Sequence, residues 1–126
     1  DGLKQMTQHL VSARQELRIF ELNVLDEQLG RDSVERTLGG ITEHDVKISR
    51  LTTRQIKPRR ANKYPLIQTK RLDPTLFETE YETYIYGNCV ALLAQTNDGL
   101  LGIEIHSEIL VRQQAAFFDA LWKLAR

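Results

Sequence analysis

The sequence predicts an α/β domain built on a mixed sheet of five or six strands with flanking helices. Three observations predict it. A strand, a helix and a strand follow one another between Leu17 and Leu51, the order of a right-handed βαβ unit with parallel strands. Two tight turns then separate three strands between Glu82 and His106, which gives an antiparallel meander. Last, an aromatic-rich stretch with helical periodicity ends the chain.

Each element has a local reason. Leu3, Met6, Leu10, Val11 and Ala13 recur at helical spacing, so residues 3–16 read as an amphipathic helix. Leu17 to Leu25 is apolar and β-branched and reads as a buried strand. Asp32 stands three positions before Glu35, the spacing of a capping box, with Val34 and Leu38 on one face. Gly39-Gly40 is expected to end or loosen that helix. Val46, Ile48 and Leu51 mark a second strand.

Residues 53–64 carry no period and read as a long loop broken by Pro58. Leu66 to Leu72 reads as a short edge strand closed by Asp73-Pro74. Glu82 to Tyr86 alternates, Gly87-Asn88 turns the chain, and Cys89 to Ala94 is apolar enough for a central strand buried on both faces. After Asn97-Asp98-Gly99, Leu101, Ile103 and Ile105 alternate with Gly102, Glu104 and His106. Ser107 caps the final helix, whose face of Leu110, Phe117, Phe118, Leu121, Trp122 and Ala125 is expected to anchor it to the sheet.

At 126 residues the chain is one domain, and 41% hydrophobic residues suffice for a core. No apolar run reaches the roughly 18 residues of a membrane span, and no signal peptide is expected. One cysteine excludes an internal disulfide and fits the cytoplasm. Starting at Asp1 without methionine, the chain reads as a piece of a longer protein.

The 17 basic and 17 acidic residues cancel overall, which removes a global electrostatic case for nucleic-acid binding. Locally they segregate. Nine basic residues and no acid lie between Val46 and Leu72; seven acids and no Lys or Arg lie from Asp73 to Glu108. The two runs either neutralise each other or form a basic rim for an anionic ligand.

His9, His44 and His106 are scattered and Cys89 sits in an apolar strand, so no metal site or cofactor is expected. Gly-rich phosphate loops and a Gly-x-Ser-x-Gly elbow are missing. Glu80 and Glu82 share one face of a presumed strand, where two carboxylates suit acid–base work if their pKa values diverge, or simply face water. Arg50, Arg54 and Arg71 are the basic positions nearest strand ends and are expected to face Glu80 and Glu82 across a cleft.

Ile85-Tyr86-Gly87-Asn88-Cys89-Val90-Ala91, Gly102-Ile103-Glu104-Ile105-His106-Ser107-Glu108-Ile109 and Phe118-Asp119-Ala120-Leu121-Trp122-Lys123-Leu124-Ala125 follow one another between Glu82 and Arg126. This segment resembles the C-terminal end of TrmB-like transcriptional regulators. The resemblance implies a phospholipase-D-like fold used as a sensor or regulatory domain, normally preceded by a winged helix-turn-helix. A homodimer is expected, with contact to DNA only through the upstream module; a small anionic or sugar-like effector is expected near Arg50, Arg54, Arg71, Glu80 and Glu82 from their charge and place at strand ends, since no ligand residue of the family maps onto this chain. The related phosphodiesterases carry His-x-Lys and then Asp in the strand entering the hairpin. The corresponding stretch here, Thr79 to Tyr84, has neither His nor Lys. The expectation is therefore a domain that is not an enzyme, against the alternative of a phosphodiesterase or nuclease relative with a rearranged site.

Overall fold

The computed structural model describes residues 16–21, 30–54, 64–76 and 79–126. Residues 3–15 of the expected helix, the strand beyond Glu21 and most of the 53–64 loop lie outside them; Glu16, expected to end that helix, is already strand.

Six strands form one mixed sheet: β1 (Glu16–Glu21), β2 (Lys47–Thr52), β3 (Ile67–Arg71), β4 (Glu82–Tyr86), β5 (Cys89–Thr96) and β6 (Gly99–His106), in the spatial order β3-β2-β1-β4-β5-β6. The strand pairs β1–β2 and β2–β3 are parallel; β4, β5 and β6 add antiparallel strands beside β1. Helix α1 (Arg31–Thr42) links β1 to β2, and α2 (Glu108–Leu124) follows β6. The C-terminal ends of β1, β2 and β3 therefore lie at the same end of the sheet as the start of β4.

Alternation sorts the side chains onto two faces. Leu17, Ile19, Ile48, Ile67, Tyr84, Tyr86, Cys89, Ala91 and Leu93 form one core with Val34, Leu38 and Ile41 of α1. Phe20, Leu51, Leu72 and Ile85 form the other with Phe118 and Ala125.

Helix α1 departs from its expected ends. Gly30, at φ 84°, is the N-cap, and no side chain caps the helix; Asp32 sits inside the first turn. The helix runs through Gly39-Gly40 because Val34, Leu38 and Ile41 keep one face buried. Gly39 lies against the Tyr64 ring, where a Cβ would collide, whereas nothing lies near Gly40. The β4–β5 turn is the expected one, with Gly87 at φ 52°, a conformation favouring glycine.

Helix α2 has the predicted cap, Ser107 Oγ accepting from Leu110 N–H at 3.2 Å. Its anchoring face is narrower than expected. Phe118 is 1% exposed, while the adjacent Phe117 is 50% exposed, since neighbours on a helix point about 100° apart. Trp122 is half-buried, stacked on Phe118 at 5.9 Å, with Lys70 Nζ 4.6 Å from its ring. The helix packs over β1, β4 and β5. Leu101, Ile103 and Ile105 of the outermost strand β6 consequently stay exposed. No helix among the described residues is long and apolar enough to cross a membrane.

Candidate functional site

Arg50 is the residue around which the site is built. It follows Ile48 by two positions on β2, so its side chain enters the α1 face of the sheet. There it is 2% exposed. Its Nη1 lies 2.5 Å from Glu35 Oε1 on α1, and its Nε donates to Thr69 Oγ1 on β3 at 3.0 Å. A buried guanidinium requires such partners, because desolvating an unpaired charge is prohibitive.

Glu82, the first residue of β4, is also 2% exposed. The Tyr84 hydroxyl donates to its Oε1 at 2.8 Å. The β1–β4 register pairs Phe20 with Thr83, and its continuation puts Glu21 beside Glu82. Ile19, Glu21, Val34, Leu38, Arg50, Glu82 and Tyr84 line one hollow of about 260 Å³, open mouth included, at the C-terminal end of β1. Carboxylates, one paired guanidinium and a phenol thus meet over an apolar floor. Such a wall accepts and donates hydrogen bonds.

Of the sequence-predicted positions, Arg50 and Glu82 come together. Glu80 does not join them on a strand: β4 starts at Glu82, and Glu80 is exposed in the bend before it. Arg54 is exposed just past β2, where its backbone N–H donates to Thr52 Oγ1 at 3.1 Å. Arg71 ends β3 and is clamped through its backbone to Arg126, whose N–H donates to the Arg71 carbonyl at 3.0 Å. Arg71 Nε is buried without a hydrogen-bond partner among the described residues.

Sequence reasoning passed over Glu21, Glu35, Thr69 and Tyr84. The alternation Ile48-Arg50-Thr52 does signal an inward arginine, and Glu35 beside Val34 and Leu38 signals an inward acid. Of the basic run, Lys47 and Arg50 lie on β2 and Lys70 and Arg71 on β3, at one side of the sheet; of the acidic run, Glu82 lies on β4 and Glu104 on β6, at the other. They do not cancel at Arg50, whose partner Glu35 belongs to neither.

No family model and no curated protein matches the sequence. Solved structures do match the fold. TrmBL2, an archaeal chromatin protein whose structure shows a novel mode of DNA binding, superposes with a TM-score of 0.72 at 14% identity, over 99% of this chain and 50% of that one. NucT from Helicobacter pylori gives 0.72 at 11% identity, over 99% of this chain and 89% of that one. Nuc from Salmonella typhimurium, a phospholipase D family member, gives 0.62 at 11% identity, over 98% and 88%. The chain thus spans about half of TrmBL2 and nearly all of NucT and Nuc.

These neighbours correct one expectation. The chain was expected not to be an enzyme, from the missing His and Lys; yet almost the entire fold of NucT and of a phospholipase D family member is present here. The six-stranded mixed sheet, its antiparallel meander and the closing helix are the phospholipase-D-like fold that TrmBL2 shares.

Proposed function

We propose that this chain is the effector-binding and dimerising domain of a TrmB-like transcriptional regulator that works in the cytoplasm. The hollow lined by Arg50, Glu21, Glu82 and Tyr84 carries the reading. Its lining is mainly apolar with a few convergent polar groups, and it lies at the ends of parallel strands, where open α/β sheets take their ligands. A polyhydroxylated, sugar-like effector suits these groups: hydroxyls donate to carboxylate oxygens of Glu21 and Glu82 and accept from the guanidinium of Arg50. In the whole protein the domain accompanies a DNA-reading winged helix-turn-helix, as its match to half of the DNA-binding TrmBL2 supports. The apolar stripe of Leu101, Ile103 and Ile105 on β6 supports a homodimer.

Calorimetry with neutral sugars, sugar phosphates and nucleotides tests the effector reading. Binding of a neutral sugar that Glu82→Gln weakens at least roughly tenfold supports it; no heat from any neutral sugar defeats it.

A second reading is favoured by the nearly full coverage of NucT and Nuc. It is phosphodiester cleavage with Glu82 as an acid–base group. Turnover of a generic phosphodiester that Glu82→Gln abolishes would support it, and an inert wild-type chain would remove it.

A further inference from the structure

At the far end of the sheet from Arg50, the β4–β5–β6 register assembles residues that are distant in the chain. Tyr86 pairs with Cys89 across the first hairpin, and Cys89 pairs with His106 across the second. Glu104, two positions before His106, points to the same face. The Cys89 Sγ, a Glu104 carboxylate oxygen and a His106 ring nitrogen all lie within 4.8 Å of one another.

We infer that Cys89, Glu104 and His106 form a binding site for a thiophilic divalent cation of the zinc type. The donor set is the argument. One thiolate, one imidazole and one carboxylate are the ligands zinc takes, and three of them leave a fourth position open to water or a ligand. A thiolate and a carboxylate neutralise a divalent charge. Metal–ligand bonds of about 2.0–2.3 Å bring ligand atoms closer than they stand here. His106 can close that gap by side-chain rotation, because it is 68% exposed. Glu104 already lies 3.4 Å from His106 Nε2.

A second observation points to the same place. Tyr86 is 7% exposed, and its hydroxyl is buried with no hydrogen-bond partner among the described residues other than the adjacent Cys89 thiol. A buried hydroxyl beside a thiol is poised to donate to the thiolate that a metal creates, as outer partners of metal ligands do. Uptake transfers the thiol proton to solvent as the metal–sulfur bond forms. In the metal-free chain burial pushes the Cys89 thiol pKa up, so cation and proton compete for the sulfur. The site is separate from the Arg50 hollow and does not depend on the function proposed for it.

The test is cobalt(II) titration of the full chain, followed by zinc(II) competition. The expected result is one cobalt per chain with a thiolate-to-metal charge-transfer band. Cys89→Ser should abolish the band. His106→Ala and Glu104→Gln should each weaken binding by roughly tenfold or more, while His44→Ala should not. His106 is a surface residue, so His106→Ala decides the matter even if Cys89→Ser fails to fold. No stoichiometric uptake, uptake without the thiolate band, or uptake unchanged in His106→Ala would overturn the inference.

Discussion

Glu35 on α1 and Arg50 on β2 form an ion pair of 2.5 Å that is nearly sealed from water, with 11% and 2% of their side chains exposed. The pair ties the crossover helix to the strand it leads into. Removing one partner strands a buried charge, so Glu35→Ala should destabilise the chain by about 3–5 kcal/mol. Replacing both, as Glu35→Leu with Arg50→Met, should cost far less than the two single changes together. Urea unfolding of the three variants measures the difference. An additive double variant would show that the two charges do not depend on each other.

Neighbouring glycines on α1 should respond with opposite tendencies. Gly40→Ala adds a methyl in open space and should stabilise the helix by roughly 0.5–1 kcal/mol. Gly39→Ala drives a methyl into the Tyr64 ring and should lose that gain or reverse it. Thermal unfolding of the two variants should move the midpoint up for Gly40→Ala only.

The α2 anchor is Phe118, edge-on to Phe20 with ring centroids 5.0 Å apart at 71°. Phe118→Ala should cost about 3–5 kcal/mol, the range for deleting a large core side chain. Trp122→Ala should cost less, because Trp122 is only half-buried. A larger loss at Trp122 than at Phe118, read from denaturant midpoints, would reverse the assignment of the anchor.

Asp73 shapes the turn after β3, its Oδ1 accepting from the Thr75 N–H at 2.9 Å and from the Thr75 hydroxyl at 2.8 Å. These bonds, the backbone one first, hold the carboxyl below its ordinary value of 3.8. A lowered folded pKa means that the unfolded chain binds the proton more tightly. The stabilisation is therefore present above the ordinary value and lost as pH falls through the folded one. Asp73→Asn should flatten this part of the acid limb, and unfolding midpoints from about pH 5 downward would show it.

If β6 carries the homodimer contact, Ile103→Lys should leave the monomer folded and shift it to lower mass in sedimentation. Ile103 is exposed, so the charge is not forced into a core. A dimer unaffected by Ile103→Lys would place the contact elsewhere.

Local pattern carried most of the fold. The alternation through Glu82–Tyr86 and Gly99–His106, the turn residues Gly87-Asn88, and the Ser107 cap each state their conformation within a few residues, because backbone geometry and capping are short-range effects. The parallel β1–α1–β2 unit was legible for the same reason. Ends governed by packing were not: α1 passes its two glycines since burial of Ile41 outweighs their propensity, and Phe117 was separable from Phe118 only once α2 had a sheet to face.

Both sites show the same division. That Arg50 and Cys89 sit within apolar strands could be read from the chain, and so could their inward direction. What stands opposite them depends on strand order and hairpin register, which are long-range choices. Only the folded sheet sets Glu82 of β4 beside Glu21 of β1, and only the second hairpin carries His106 to Cys89. Chemistry at a site needs atoms within a few ångströms, and separation along a sequence does not measure that distance.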